Sequence, residues 1–143
     1  MNKIEIALVD DHMLVRNGIK SLLEEEQNLI VVAEGSNGFD AIEIVKKYEP
    51  DLLIIDVRMP EMNGIEALKE LKYFQTRTKF IVLSMYDAEE YILDSIKAGA
   101  SGYLLKDTDK KEFIKAVRTV SNGGKYFSGD VSNVIVSNYF LIT

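Results

Sequence analysis

Three aspartates follow apolar runs at positions where α/β proteins commonly place their chemistry. Asp10 and Asp11 come directly after Ile6–Val9, and Asp56 comes directly after Leu52–Ile55. Unbroken apolar runs of this kind are typical of strands buried on both faces of a parallel sheet. The three carboxylates are therefore expected at the carboxyl edge of the sheet, where open α/β folds bind their ligands.

Carboxylates gathered in this way need a compensating charge. Two of them about 4 Å apart repel by on the order of 4 kcal/mol at an effective dielectric constant near 20. A cluster is stable only if one acid takes a proton or a cation joins it. Oxygen ligands with open positions favour Mg²⁺, with Mn²⁺ as a second choice. The simpler alternative, in which Asp10 and Asp11 only cap the next helix, is disfavoured because Asp56 lies at the matching edge. The neighbouring His12 is interpreted as a surface residue at the helix start.

A carboxylate beside a bound metal can attack phosphorus and form an acyl phosphate. Such a transfer also needs a fixed cation near the phosphoryl oxygens. Lys106 follows the apolar pair Leu104–Leu105 and is the candidate for that cation, while Ser84 ends another run and offers a hydroxyl. Read alone, a loop lysine is usually solvated, and Ser84 is equally well an ordinary polar strand end. Tyr103 by itself is an ordinary core aromatic.

Five short apolar runs alternate with helical patterns along the chain. The predicted strands are near Lys3–Val9, Leu29–Ala33, Leu52–Asp56, Phe80–Ser84 and Gly102–Leu105. Apolar residues three and four apart between these runs predict helices that pack on a sheet. A (βα)5 order with short connections predicts an α/β fold with a doubly wound parallel sheet. Five strands favour the flavodoxin-like order 2-1-3-4-5, which places the ends of strands one and three side by side.

Composition limits the classes of function. The chain has 143 residues, 17 basic and 23 acidic side chains, a formal net charge of −6 and no cysteine. That length fits a single domain, and the negative charge gives no general attraction to nucleic acid. Without cysteine, disulfide and thiol chemistry are excluded. No signal-peptide or membrane-spanning pattern is present, so a cytoplasmic location is expected.

Taken together, these residues resemble the receiver domain of bacterial two-component response regulators. The resemblance rests on Asp10-Asp11, on the motif Asp56-Val57-Arg58-Met59-Pro60, and on Ser84, Tyr103 and Lys106. These features are spread over residues 1 to about 122, and their combination is specific although each is weak alone. The stretches Gly102–Asp107 and Gly123–Ser128 are similar to the NarL/LuxR-type subfamily.

The resemblance implies a role for each site residue. Asp56 would accept a phosphoryl group from a sensor histidine kinase. Mg²⁺ would be held by Asp10, Asp11, Asp56 and the backbone carbonyl of Arg58. Lys106 would pair with the phosphoryl group, Ser84 would shift toward it, and Tyr103 would turn inward as the second part of the switch.

The resemblance also implies an output and partners. The surface of helix four, strand five and helix five would change shape as a population shift, expected to control transcription. A phosphorylation-dependent homodimer is expected, with no membrane contact. The domain is expected to be a phosphoacceptor rather than an enzyme, with some capacity to catalyse its own phosphorylation and dephosphorylation.

The C-terminal segment is defined less clearly by its pattern. Residues 1–122 are interpreted as the receiver domain, and residues 123–143 as a linker or extra helix. Regulators of this type continue into a helix-turn-helix effector domain. This sequence is expected to lack that domain. DNA would be bound only through the effector domain and not by residues 1–143. The periodicity of the segment leaves helix and strand equally open.

Three other functions fit parts of this pattern. A flavin-binding redox domain would need backbone amides around a phosphate after strand one, where Asp10 and Asp11 would repel it. A phosphatase of the haloacid dehalogenase type would need acids two apart at that strand, and the adjacent pair lacks this spacing. An interaction domain that is never phosphorylated would have no physical need for clustered acids.

Overall fold

A computed structural model describes residues 3–86 and 88–139 of the chain. The strands in this part are β1 (Ile4–Val9), β2 (Leu29–Gly35), β3 (Leu52–Ile55), β4 (Lys79–Ser84), β5 (Gly102–Leu105) and β6 (Tyr126–Phe127). The helices are α1 (Met13–Glu24), α2 (Gly38–Tyr48), α3 (Gly64–Phe74), α4 (Glu89–Lys97), α5 (Lys110–Ser121) and α6 (Gly129–Ser137). Within these described ranges, none of the helices has the length and apolar character needed to cross a membrane.

The strands form one parallel sheet in the order β2-β1-β3-β4-β5-β6. The predicted order of the first five strands is therefore confirmed. Every residue of β3 is buried. Helices cover both faces of the sheet, so the side chains on both faces of this strand are apolar. The backbone N–H of Asp56 donates to the carbonyl of Val9 at 3.0 Å. The ends of β1 and β3 are thus held side by side.

Two apolar cores lie on opposite faces of the sheet. One contains Val45 of α2, Leu68 of α3 and Ile92 of α4. The other contains Leu23 of α1 and Val117 of α5. Most apolar residues spaced three and four apart in these helices face the sheet, as the spacing predicts, whereas Leu14 near the start of α1 is 86% exposed.

The C-terminal segment forms a strand and then a helix, so the sheet has a sixth strand beyond the five predicted. β6 pairs with β5, with Tyr126 opposite Gly102 and Phe127 opposite Tyr103. Val131 of α6 is fully buried in the same core as Ile92. The domain boundary at residue 122 stays a prediction, and residues 140–143 lie outside the described part of the chain.

Gly64 lets α3 begin against the backbone of Asp56. Asn63 caps this helix by accepting from the N–H of Glu66 at 2.8 Å, and the Glu66 side chain accepts from the N–H of Asn63 at 3.1 Å. A methyl group built on Gly64 would collide with the carbonyl oxygen of Asp56. The position therefore requires glycine because of the close approach of two backbones.

Gly64→Ala is expected to lower the free energy of unfolding by about 1–3 kcal/mol, the usual cost of overpacking. The matched control is Gly18→Ala in α1, where an added methyl group meets no atom within 4 Å. That control should raise stability by up to about 1 kcal/mol, because alanine is the better helix former. Urea denaturation measures both variants, and equal effects would contradict the close approach at Gly64.

Candidate functional site

The loops after β1, β3 and β5 bring the predicted acids and lysine together. Asp10 and Asp56 are each only 5% exposed, whereas Asp11 is exposed. The Nζ atom of Lys106 lies 2.7 Å from Oδ2 of Asp10 and 3.1 Å from Oδ2 of Asp56. One ammonium group therefore bridges the two buried carboxylates and supplies the compensating charge that their repulsion requires.

The donor set fits a hard divalent cation. Asp10, Asp11, His12 and Asp56 each offer one ligand atom, and these atoms all lie within 4.8 Å of one another. Three carboxylates in such a group are the oxygen ligands that Mg²⁺ prefers. The N–H of Val57 donates to Oδ1 of Asp56 at 2.8 Å and orients that carboxylate. The backbone carbonyl of Arg58 as a fourth ligand stays a prediction.

Burial and neighbouring charges change the protonation of the two central groups. Burial raises the pKa of Asp56, and the charge of Asp10 raises it further, against the lowering effect of Lys106. Burial disfavours the ammonium form of Lys106, but its hydrogen bond with Asp10 and the charges of both carboxylates outweigh this, so its pKa is raised. Lys106 therefore remains a cation, while Asp56 ionises less readily than an ordinary aspartate.

Ser84 and Tyr103 meet through the backbone of Tyr86. Ser84 Oγ accepts a hydrogen bond from the Tyr86 N–H at 3.0 Å, and the Tyr103 hydroxyl donates to the Tyr86 carbonyl at 2.6 Å. Both side chains are fully buried, so the Tyr103 ring is turned inward in this structure. Because Ser84 uses its oxygen as acceptor here, its hydroxyl hydrogen can still be donated to another group.

The side chain of Tyr86 connects three elements next to the site. The Arg58 guanidinium lies 5.0 Å from the centre of the Tyr86 ring, a distance typical of a cation–π contact. The ring of Tyr91 in α4 lies 5.8 Å from the Tyr86 ring. The Tyr86 ring therefore joins the loop after β4 to the loop after β3 and to the start of α4.

Three sets of contacts at the site were not predicted from the sequence. His12 is largely exposed as expected, with 62% of its side chain accessible, but its Nδ1 also lies 3.2 Å from Asp10 and 3.1 Å from Asp11. The backbone N–H and carbonyl of Tyr86 bond to Ser84 and Tyr103, and backbone contacts of this kind carry no sequence signal. Arg16 donates from Nη1 to the carbonyl oxygen of Asp10 at 2.6 Å. The sequence shows only that a basic residue lies in the first turn of α1, which does not predict the contact of Arg16 with Asp10.

The fold and the site together define a receiver domain. The family model described as "Response regulator receiver domain" matches residues 6–118. The chain belongs to that family, a class of phosphoacceptor signalling domains, and its relatives are of the NarL/LuxR type.

The similar proteins include transcriptional regulators. The chain is 43% identical over 138 residues to the transcriptional regulatory protein DegU of Brevibacillus brevis, covering 96% of this chain and 58% of that protein. It is 35% identical over 133 residues to the nitrate/nitrite response regulator protein NarL of Escherichia coli strain K12, covering 93% and 62%. The chain therefore spans about 58–62% of the length of these two relatives.

Solved structures agree with this assignment. The signal receiver domain of the putative response regulator NarL from Mycobacterium tuberculosis superposes with a TM-score of 0.83 at 31% identity, covering 86% of this chain and 99% of that one. A LuxR-family response regulator from Aurantimonas sp. SI85-9A1 superposes with a TM-score of 0.89 at 29% identity, covering 97% and 99%. The likeness extends over nearly the whole described fold.

Asp56→Asn is expected to stabilise the protein in chelator at neutral pH, because it removes a buried charge. An acid with a raised pKa in the folded state holds its proton to higher pH than in the unfolded state, so stability falls as pH rises through that interval. The gain from the substitution should therefore shrink as pH is lowered through the raised pKa toward the ordinary aspartate value. Urea unfolding at a series of pH values, from neutral pH down to the ordinary aspartate pKa of about 3.9, measures this change.

The control for this experiment is Asp94→Asn, which removes the same charge from an exposed position on α4. A gain for Asp56→Asn that stays constant across the whole pH range would contradict the raised pKa of Asp56.

Proposed function

We propose that this domain accepts a phosphoryl group on Asp56 from the phosphohistidine of a sensor histidine kinase. The observation that chiefly supports the proposal is the Lys106 ammonium group, which spans Asp10 and Asp56 at 2.7 and 3.1 Å. A carboxylate oxygen of Asp56 would attack phosphorus and form a P–O bond. The P–N bond to the kinase histidine would break, and its electron pair would stay on the imidazole, leaving an acyl phosphate on Asp56.

The acidic cluster is proposed to hold Mg²⁺, or Mn²⁺, through Asp10, Asp11, Asp56 and the backbone carbonyl of Arg58. A bound ion would supply Lewis-acid neutralisation of the phosphoryl oxygens. Lys106 would turn from the carboxylates to the phosphoryl group as its second cation. Asp10 would remain oriented after this movement, because its Oδ1 also accepts from the backbone N–H of His12 at 2.8 Å.

Ser84 and Tyr103 are proposed as the switch. Ser84 would donate its hydroxyl hydrogen to the phosphoryl group, and its bond to the Tyr86 N–H would draw the loop after β4 with it. Tyr103 of β5 and Tyr91 of α4 both contact Tyr86, so the movement would reach the α4 and β5 parts of the proposed switch surface of α4, β5 and α5. Phosphorylation would then shift the population between two conformations.

The output is proposed from the relatives. The regulators DegU and NarL are transcriptional or nitrate-responsive regulators by name, and this chain covers their shared receiver portion. The domain would control transcription through a DNA-binding effector domain, with phosphorylation-dependent homodimers. The receiver domain would itself contribute to catalysing the gain and loss of its phosphate.

Asp56→Asn is expected to abolish phosphate incorporation from acetyl phosphate and Mg²⁺, because an amide oxygen is too weak a nucleophile. Lys106→Gln should slow incorporation by about 100-fold or more, the usual effect of removing a preorganised transition-state donor. Intact-mass spectrometry measures the added phosphate. The control Asp51→Asn changes an exposed aspartate just before β3 and should leave incorporation unchanged. Undiminished incorporation in Asp56→Asn would rule out this acceptor.

Tyr86→Ala is expected to shorten the lifetime of the acyl phosphate several-fold. The substitution removes the ring on which Arg58 packs and admits water, but it keeps the backbone groups that bind Ser84 and Tyr103. The rate of phosphate loss after removal of the donor measures the effect. Tyr73→Ala, which removes a ring that is 89% exposed on α3, is the control. An unchanged or longer lifetime in Tyr86→Ala would contradict the shielding role.

A further inference from the structure

A guanidinium group lies directly behind the acidic pair. Arg16 belongs to the first turn of α1, and only 17% of its side chain is exposed. Its Nη1 donates to the backbone carbonyl of Asp10 at 2.6 Å, and its Nε lies 3.3 Å from Oε1 of Glu34. Charge-assisted hydrogen bonds of this kind are about twice as strong as neutral ones. The Arg16 side chain belongs neither to the proposed metal ligands nor to the proposed switch.

We propose that Arg16 is a positioning residue that fixes the backbone of Asp10, and through it the Mg²⁺-binding geometry of the acidic pair. This inference rests on the proposed function, because it assigns a further residue to the same site. Arg16 touches neither the phosphoryl group nor the metal in this assignment. It acts through Asp10.

The backbone around Asp10 is held at each of its polar groups. The Asp10 N–H donates to the carbonyl of Gly35 at 3.1 Å, and the Asp10 carbonyl accepts from Arg16. Arg16 Nη1 also lies 3.5 Å from the Gly35 carbonyl. Arg16 therefore ties the end of β1 to the end of β2, at the point where β1 turns into the acidic pair.

Glu34 holds the guanidinium in this position. Its two carboxylate oxygens contact Arg16 at 3.3 Å and Lys20 at 3.4 Å. A cavity of about 10 Å³ is lined by Arg16, Asp10 and Asp56 among others, which leaves space for about one water molecule at most. Arg16 thus lines the same small cavity as Asp10 and Asp56.

A purely electrostatic role and a positioning role predict opposite effects on Mg²⁺ affinity. A fixed positive charge near the carboxylates repels a cation, so removing that charge alone would tighten binding. Removing a hydrogen bond that orients a ligand weakens metal binding, typically by 10–100-fold. Lysine keeps the charge of Arg16 but lacks the planar fork that reaches the Asp10 carbonyl and Glu34 together. Arg16→Lys therefore distinguishes the two roles.

The test measures the Mg²⁺ concentration at half-maximal thermal stabilisation for the wild type, Arg16→Gln, Arg16→Lys and Lys20→Gln. Both Arg16 variants should raise this concentration about 10-fold or more. Lys20→Gln removes a cation from the same Glu34 without affecting the contact to Asp10, and it should change the value far less. A wild-type value in Arg16→Lys, tighter binding in Arg16→Gln, or an equal shift in Lys20→Gln would overturn the proposal.

Amide hydrogen exchange in the metal-free proteins provides a second readout. Exchange at Asp10–His12 should be faster in both Arg16 variants, whereas exchange in β3 should not change. This measurement needs neither metal nor phosphate, so it tests Arg16 even if wild-type Asp56 proves not to be phosphorylated. If Arg16→Gln does not fold, Arg16→Lys and Glu34→Gln decide the matter. Unchanged exchange and an unchanged Mg²⁺ value in both of these variants would overturn the role of Arg16.

Discussion

The mutual repulsion of carboxylates at one edge of the sheet is the constraint on which the rest of the site depends. Asp10 and Asp56 are both buried there, and Lys106 bridges them from β5, which is separated from β3 by β4. Two strand spacings are about 10 Å, so only a long side chain can cover that separation. The backbone N–H of Lys106 donates to the Ser84 carbonyl at 2.8 Å, which fixes the base of this side chain.

The site combines a buried part with a part that lies at the surface. The acids are fixed by buried strands, by Gly64 beneath Asp56 and by Arg16 behind Asp10. The loop after β4 lies at the surface, where Met85 is 72% exposed. A phosphoacceptor needs this division, since the attacking carboxylate must be held in place while the response to its modification requires a segment that can move.

The sequence predicted the parts of the molecule that follow from local patterns. Buried strands have unbroken apolar runs, and parallel strands end at a common edge, so Asp10, Asp56 and Lys106 could be placed together before their distances were known. β6 could not be predicted in the same way, because two residues paired through their backbones carry no periodicity. The contacts of Arg16 and Tyr86 could not be predicted, because a hydrogen bond to a backbone group does not require any particular residue type at that position.

The position of Tyr103 determines where a conformational change can travel. Its backbone is paired on both sides, with Val82 of β4 and Phe127 of β6, so the strand itself resists displacement. The Tyr103 hydroxyl is bonded to Tyr86, which lies outside the sheet and packs on Tyr91 of α4. Since α6 packs against α4 on the same face, a shift of the loop after β4 would be transmitted through α4 to the C-terminal segment rather than through the sheet.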